Sequence, residues 1–127
     1  MKPSLRRQMG MSLIEVLTSL LIFSIGILGM LSLQTRATQF STSAEDTNRA
    51  ALLANEIASQ MWDQKSLTVD TTAWAARVGN AQNGGLPSGT GMVTVAGGVA
   101  DITITWRPPS APAGEVNRFV TQVMNVN

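Results

Sequence analysis

The chain of 127 residues has no cysteine, no histidine and no tyrosine. Those absences exclude much chemistry. The usual zinc sites, thiol redox centres, Ser-His-Asp triads and imidazole bases all need residues this chain does not have. Any part of it outside the cytoplasm must also hold together without disulfides, although a lack of cysteine does not by itself identify a compartment. Charge is scarce as well. Charged residues make up 13% of the chain, about half of the roughly 25% usual in soluble domains, so part of the surface is expected never to meet water. The net charge of +1 hides an asymmetry: Lys2, Arg6 and Arg7 fall in the first ten residues, and the remainder carries six basic against eight acidic side chains. No basic stripe is left for nucleic acid. At this length one domain is the expectation, because a second could not bury a core of its own.

What the chain does have is a long apolar run. From Val16 to Thr35 there are 20 residues without a charge or a proline. At 1.5 Å rise they make about 30 Å of helix, the thickness of a bilayer core. Three cations precede the run and only Arg36 closely follows it, which predicts a single-pass span with its N-terminus in the cytoplasm and the rest of the chain across the membrane. A cleaved secretory signal is a poorer fit, since its apolar region is normally 7–15 residues and ends at a small-residue site. A plain signal anchor fits the length and the flanks. It does not account for Glu15, because an acid within the membrane costs about 2.5–3.5 kcal/mol at mid-depth, less near the interface. Either Glu15 snorkels to the headgroups or it has a function there.

The residues around Glu15 bear on that choice. Gly10-Met11-Ser12-Leu13-Ile14-Glu15, behind a short basic leader and ahead of an apolar helix, closely resembles the processing motif of type IV pilins and type II secretion pseudopilins. The resemblance covers about the first 35 residues. It implies that residues 1–10 are a leader removed by a membrane aspartyl prepilin peptidase between Gly10 and Met11. The new N-terminus at Met11, where the family most often has Phe, is then methylated. It also implies that Glu15 neutralises the N-terminal amine of a neighbouring subunit during assembly. The chemistry is coherent: glycine lets an extended backbone enter a peptidase cleft, and an ammonium and a carboxylate offset each other where dielectric is low. Further along, the run Ser24-Ile25-Gly26-Ile27-Leu28-Gly29 looks like that of the PilV-type minor pilins. Each mid-helix glycine costs up to about 1 kcal/mol against alanine in a soluble helix. Gly26 and Gly29, with Ser19 and Thr18 on adjoining turns, suit close helix–helix approach, although glycine is also simply common in membrane helices.

Beyond Arg36 the helical pattern continues to about Gln64. Ala50, Leu53, Ala54, Ile57, Ala58 and Met61 form an apolar stripe of helical period. Glu45, Asn48, Arg49, Asn55, Glu56, Ser59 and Asp63 lie on the other side, with Glu45 and Arg49 at i, i+4. Joined to the span, this predicts one helix from about Ser12 to Gln64, roughly 80 Å long, whose first half must project from a headpiece of residues 36–127. The alternative is a break at residues 36–44, where Thr and Ser weaken propensity. Asp70, Thr71 or Thr72 can cap a short helix through Trp74 and Val78 closed by Gly79. Trp62 and Trp74 are expected to cover the core. Met92–Ala96, a Gly97-Gly98 turn and Val99–Trp106 read as a hairpin, and Asn117–Val126 as a third strand. The fold class is therefore α+β: a long N-terminal helix against a small antiparallel sheet of about three strands, the layout that the resemblance to pilins also implies.

The function expected from the resemblance is that of a minor pilin incorporated into, or priming, a type IV pilus. The alternative is a minor pseudopilin of a type II secretion system. Partners would be other pilin subunits, the prepilin peptidase and N-methyltransferase, the inner-membrane assembly platform and the bilayer. The location would be the inner membrane with a periplasmic headpiece, then the fibre at the cell surface. A membrane-anchored enzyme is the competing class. Asp63, Asp70, Asp101 and Glu115 are its candidate acids and bases, but nothing in their spacing suggests convergence. No calcium-loop run is present, and neither a cofactor nor a metal site is expected.

Overall fold

A computed structural model of the chain describes residues 9–124, with side chains described from Ser12 onward. The expected leader up to residue 8, and the last residues of the expected third strand (125–126) with residue 127, lie outside the described residues. The chain divides into two compact units, residues 1–41 and residues 42–127.

The first helix, α1, spans Met9–Asp63. It is helical through residues 36–44, where a break was the alternative. Two hydroxyls at and near this stretch are turned back onto the helix's own carbonyls. Thr35 donates to the Leu31 carbonyl and Thr38 to that of Gln34, both at 3.0 Å, bonds that leave the helical ladder in place. Within the first unit α1 is exposed at every residue from 12 to 41. It is long and apolar enough to cross a membrane.

The second unit is an α+β headpiece in which the later part of α1 packs on a small sheet. The stripe behaves as its period dictates: Ala50, Leu53, Ala54, Ile57 and Met61 are buried, and Ala58 packs at the margin. Alanines at 50 and 54 keep that face of the helix flat, so what packs on it can come close. Glu45 and Arg49 form the expected ion pair at 2.6 Å. Helix α1 ends in a Schellman arrangement: the Ser66 N–H donates to the Met61 carbonyl and the Lys65 N–H to that of Trp62, with Lys65 in the left-handed region at φ 48°.

Helix α2 spans Thr72–Val78. Thr71 is its N-cap by position but makes no side-chain cap bond; Asp70 supplies that bond instead, its Oδ1 accepting the Thr72 N–H at 2.9 Å. Gly79 follows the helix but at φ −78°, so it closes α2 without the left-handed turn typical of a glycine cap. The tryptophans divide differently from expectation. Trp74 is buried and its Nε1 donates to the Leu53 carbonyl at 2.8 Å. Trp62 is 52% exposed, because it follows Met61 by one residue and a step of 100° carries it off the stripe. Trp106 fills the core place instead, at 2% exposure.

Strands β1 (Thr90–Ala96), β2 (Val99–Trp106) and β3 (Asn117–Met124) form one antiparallel sheet in the order β1-β2-β3. Gly97 and Gly98 make the hairpin turn at φ 58° and 79°, with Ala96 opposite Val99; a two-residue turn with both residues left-handed matches the twist of the flanking strands. Alternation along β2 turns Ala100, Ile102, Ile104 and Trp106 inward. At Gly91 on β1 the ring of Trp74 takes the place of a side chain: a Cβ there would stand 2.6 Å from the indole Cη2. The core therefore lies between the stripe of α1, the Trp74 face of α2, Leu86 and the inner face of the sheet.

Candidate functional site

Of the residues singled out for processing, Gly10 and Met11 belong to the first turns of α1, and their side-chain surroundings lie outside the described residues. Glu15 is described and exposed, one turn further on. Between Glu15 and Arg36 α1 carries no other charged side chain.

Several hydroxyls in this stretch are satisfied within the helix. The Thr18 hydroxyl lies within bonding distance of the Ile14 carbonyl at 2.9 Å and that of Glu15 at 3.0 Å. Ser24 donates to the Leu20 carbonyl at 2.7 Å and Ser32 to that of Leu28 at 3.1 Å. In a medium without water, hydroxyls that close on their own backbone carry little penalty. The Glu15 carboxylate has no such internal solution.

Gly26 and Gly29 have nothing within 4 Å of the position a Cβ would take. Neither glycine is therefore required by packing among the described residues, and both give up helix propensity. Their place on the helix is informative. Positions 12, 15, 19, 22, 26, 29 and 33 recur at steps of three and four, a seam of period 3.5 along one face of α1. In order they are Ser12, Glu15, Ser19, Ile22, Gly26, Gly29 and Leu33. Both glycines lie on this seam with Glu15 and two serines, whereas Leu13, Leu17, Leu20, Leu21, Leu28 and Leu31, with Thr18, Ser24 and Ser32, lie off it. Ser12, Glu15 and Ser19 form a shallow depression walled by Val16, Leu20 and Phe23. Ser19 thus joins the glycines on one face, as expected of an adjoining turn; Thr18 lies beside the seam with its hydroxyl committed to the backbone. The seam as a whole was missed in the sequence, although its 3-4 spacing was there to be counted.

No protein-family model matches this chain, and neither does any curated protein or any solved structure.

The four carboxylates considered as acid and base are dispersed. Asp63 ends α1, Asp70 caps the start of α2, Asp101 on β2 accepts a bond of 2.7 Å from the Gln122 amide, and Glu115 lies in the loop before β3. Among the described residues no group of three acidic, histidine or cysteine side chains could hold a metal ion.

One acid escaped the sequence reading. Asp46 is 5% exposed, and its Oδ2 is buried without a hydrogen-bond partner among the described residues. Burial pushes its carboxyl above the ordinary aspartate range; Arg49 opposes the shift and Glu45 adds to it. The signal was in the spacing, since Asp46 precedes Ala50 by four residues and Leu53 by seven, on the buried stripe itself.

Proposed function

We propose that the chain is a minor pilin of a type IV pilus, of the PilV type, cut after Gly10 by prepilin peptidase, methylated at Met11 and assembled through its apolar helix. It is a structural subunit and performs no catalysis. Before assembly it sits in the inner membrane with its N-terminus in the cytoplasm and its headpiece in the periplasm. Its partners are the peptidase, the assembly platform and other pilin subunits.

The observation that carries this reading is a combination on α1. One acid stands in an otherwise uncharged apolar stretch, five residues after Gly10, on the same seam as two glycines that nothing in the chain itself requires. An anchor gains nothing from that acid. A helix that packs against like helices gains a close-approach face from the glycines and, from the acid, a counter-charge for a neighbour's terminal amine. The run Ser24 to Gly29 favours a pilus over a type II secretion pseudopilin.

Two measurements test it. Intact mass of the membrane-extracted protein should show a chain beginning at methylated Met11, and Gly10→Leu should retain the ten-residue leader. Glu15→Leu should insert as well as the wild type, because it removes a charge from the bilayer, yet be lost from sheared fibres. A mature chain beginning at Met1, or normal fibre recovery for Glu15→Leu, would overturn the proposal.

A further inference from the structure

We propose that Asp46 is an acid-operated clamp on the headpiece: while its carboxyl holds a proton the end of the buried stripe stays closed over it, and loss of that proton to solvent loosens the same end.

The geometry sets the conflict. The stripe 46-50-53-54-57-61 is apolar except at its first position, where Asp46 is nineteen-twentieths buried with its Oδ2 unpartnered. A buried carboxylate without compensating bonds is heavily penalised, whereas the neutral acid costs far less. Arg49 is the nearest source of compensation on the helix, and it is engaged elsewhere. Its Nη2 is paired with Glu45 at 2.6 Å, and its Nη1 reaches the Gly85 carbonyl at 3.5 Å.

Among the described residues the surrounding elements offer no charge in its place; the Trp106 indole N–H on β2 is likewise buried without a partner. The inward positions of the sheet (91, 93 and 95 on β1, the even positions of β2, and 117, 119, 121 and 123 on β3) hold no titratable side chain. Asp101 and Arg118 point to the other face. The turn that Arg49 reaches, residues 85–87, is Gly-Leu-Pro. On α2, Arg77 is paired with Glu56. In the loop before β3 the Arg107 guanidinium donates to the Pro112 carbonyl at 3.2 Å, and among the described residues no group bonds Asp46 Oδ2. Asp63, Lys65 and Asp70 follow the last stripe residue, Met61, in the chain, at the end opposite Asp46 in sequence.

The sign follows from linkage. For an acid whose folded-state pKa is raised, the folded state binds more protons between the unfolded and folded values, so stability falls as pH rises through that window. The contribution is whole in acid and lost toward neutrality. On the proposed function the headpiece faces the outside medium, where pH varies; the clamp itself does not depend on that reading.

The test uses the full chain in detergent micelles. Trp62, Trp74 and Trp106 are its only tryptophans, and all lie in the headpiece, so their fluorescence follows headpiece unfolding alone. From pH 4 to pH 7 the wild type should lose several degrees of Tm relative to Asp46→Asn. At pH 7 the variant should melt roughly 3–8 °C higher, the scale on which a single buried interaction moves a small domain. Asp70 titrates in both proteins, so the difference between them isolates Asp46. An Asp46→Asn headpiece that melts lower than wild type at pH 7, or that keeps the wild-type pH dependence, overturns the proposal. If the variant does not fold at any pH, carbon-detected titration of the wild-type carboxyl decides: a midpoint above that of a free aspartate supports the clamp, and one at or below it refutes it.

Discussion

At the scale of single residues, burial separates side chains that composition treats alike. Trp62 and Trp74 are both large aromatics close to the same core. Trp74 lies over Gly91 with its indole N–H bonded to the Leu53 carbonyl, whereas Trp62 is half in solvent. Trp74→Ala should therefore cost about 3–5 kcal/mol, the range for emptying a buried aromatic site. Trp62→Ala should cost less than about 1 kcal/mol. Urea unfolding followed by the remaining tryptophans measures both, and equal costs would contradict the burial difference. The helical period already made this contrast available, because residue 61 is on the stripe and residue 62 is one step off it. Asp46 was harder to see. A single acid at the edge of an apolar stripe reads as solvated until its burial is known.

At the scale of elements, the hairpin and the stripe were the most legible parts. Two glycines between strands of alternating character admit few turns, and a face of Ala, Leu, Ile and Met at helical spacing has to be buried. Caps were less legible, because they depend on one or two bonds that several neighbouring residues can make. Asp70 caps α2 where Thr71 has the capping position. The end of α1 is a clearer case. Lys65 occupies the left-handed position of the Schellman turn, where a side chain with a Cβ is strained by roughly 1–2 kcal/mol. Lys65 is exposed and makes no salt bridge among the described residues, so little opposes its replacement. Lys65→Gly should stabilise the headpiece by about 0.5–1 kcal/mol, after the greater entropy of the unfolded glycine chain is subtracted. A shift of the urea midpoint to higher concentration at unchanged slope would show it. A lower midpoint would mean that the lysine side chain holds the turn in place.

At the scale of the whole molecule, one sequence contains two units built on opposite rules. The headpiece follows those of a small soluble domain, with its aliphatic stripe, alternating strands and buried tryptophans facing inward. The first unit exposes Leu13, Leu17, Leu21, Phe23, Leu28 and Leu33, each by more than half among the described residues. Composition signalled that division through its shortage of charge, but the seam within it needed the spacing of every small and polar residue to be read together. If the chain assembles as proposed, the seam also separates packing within the chain from packing between chains. Because nothing lies within 4 Å of a Cβ at Gly26 or Gly29, a leucine at Gly26 fits the single chain without strain and raises its helix propensity. Gly26→Leu should thus leave membrane insertion and the headpiece melting temperature unchanged. In a packed array of helices the same side chain stands where backbones approach closely, and it should keep them apart. Fibre recovery should fall severalfold for Gly26→Leu and remain normal for Leu28→Ile, a change off the seam in the same segment. Equal recovery for the two variants would show that the glycines face lipid, and the seam would then have no part in assembly.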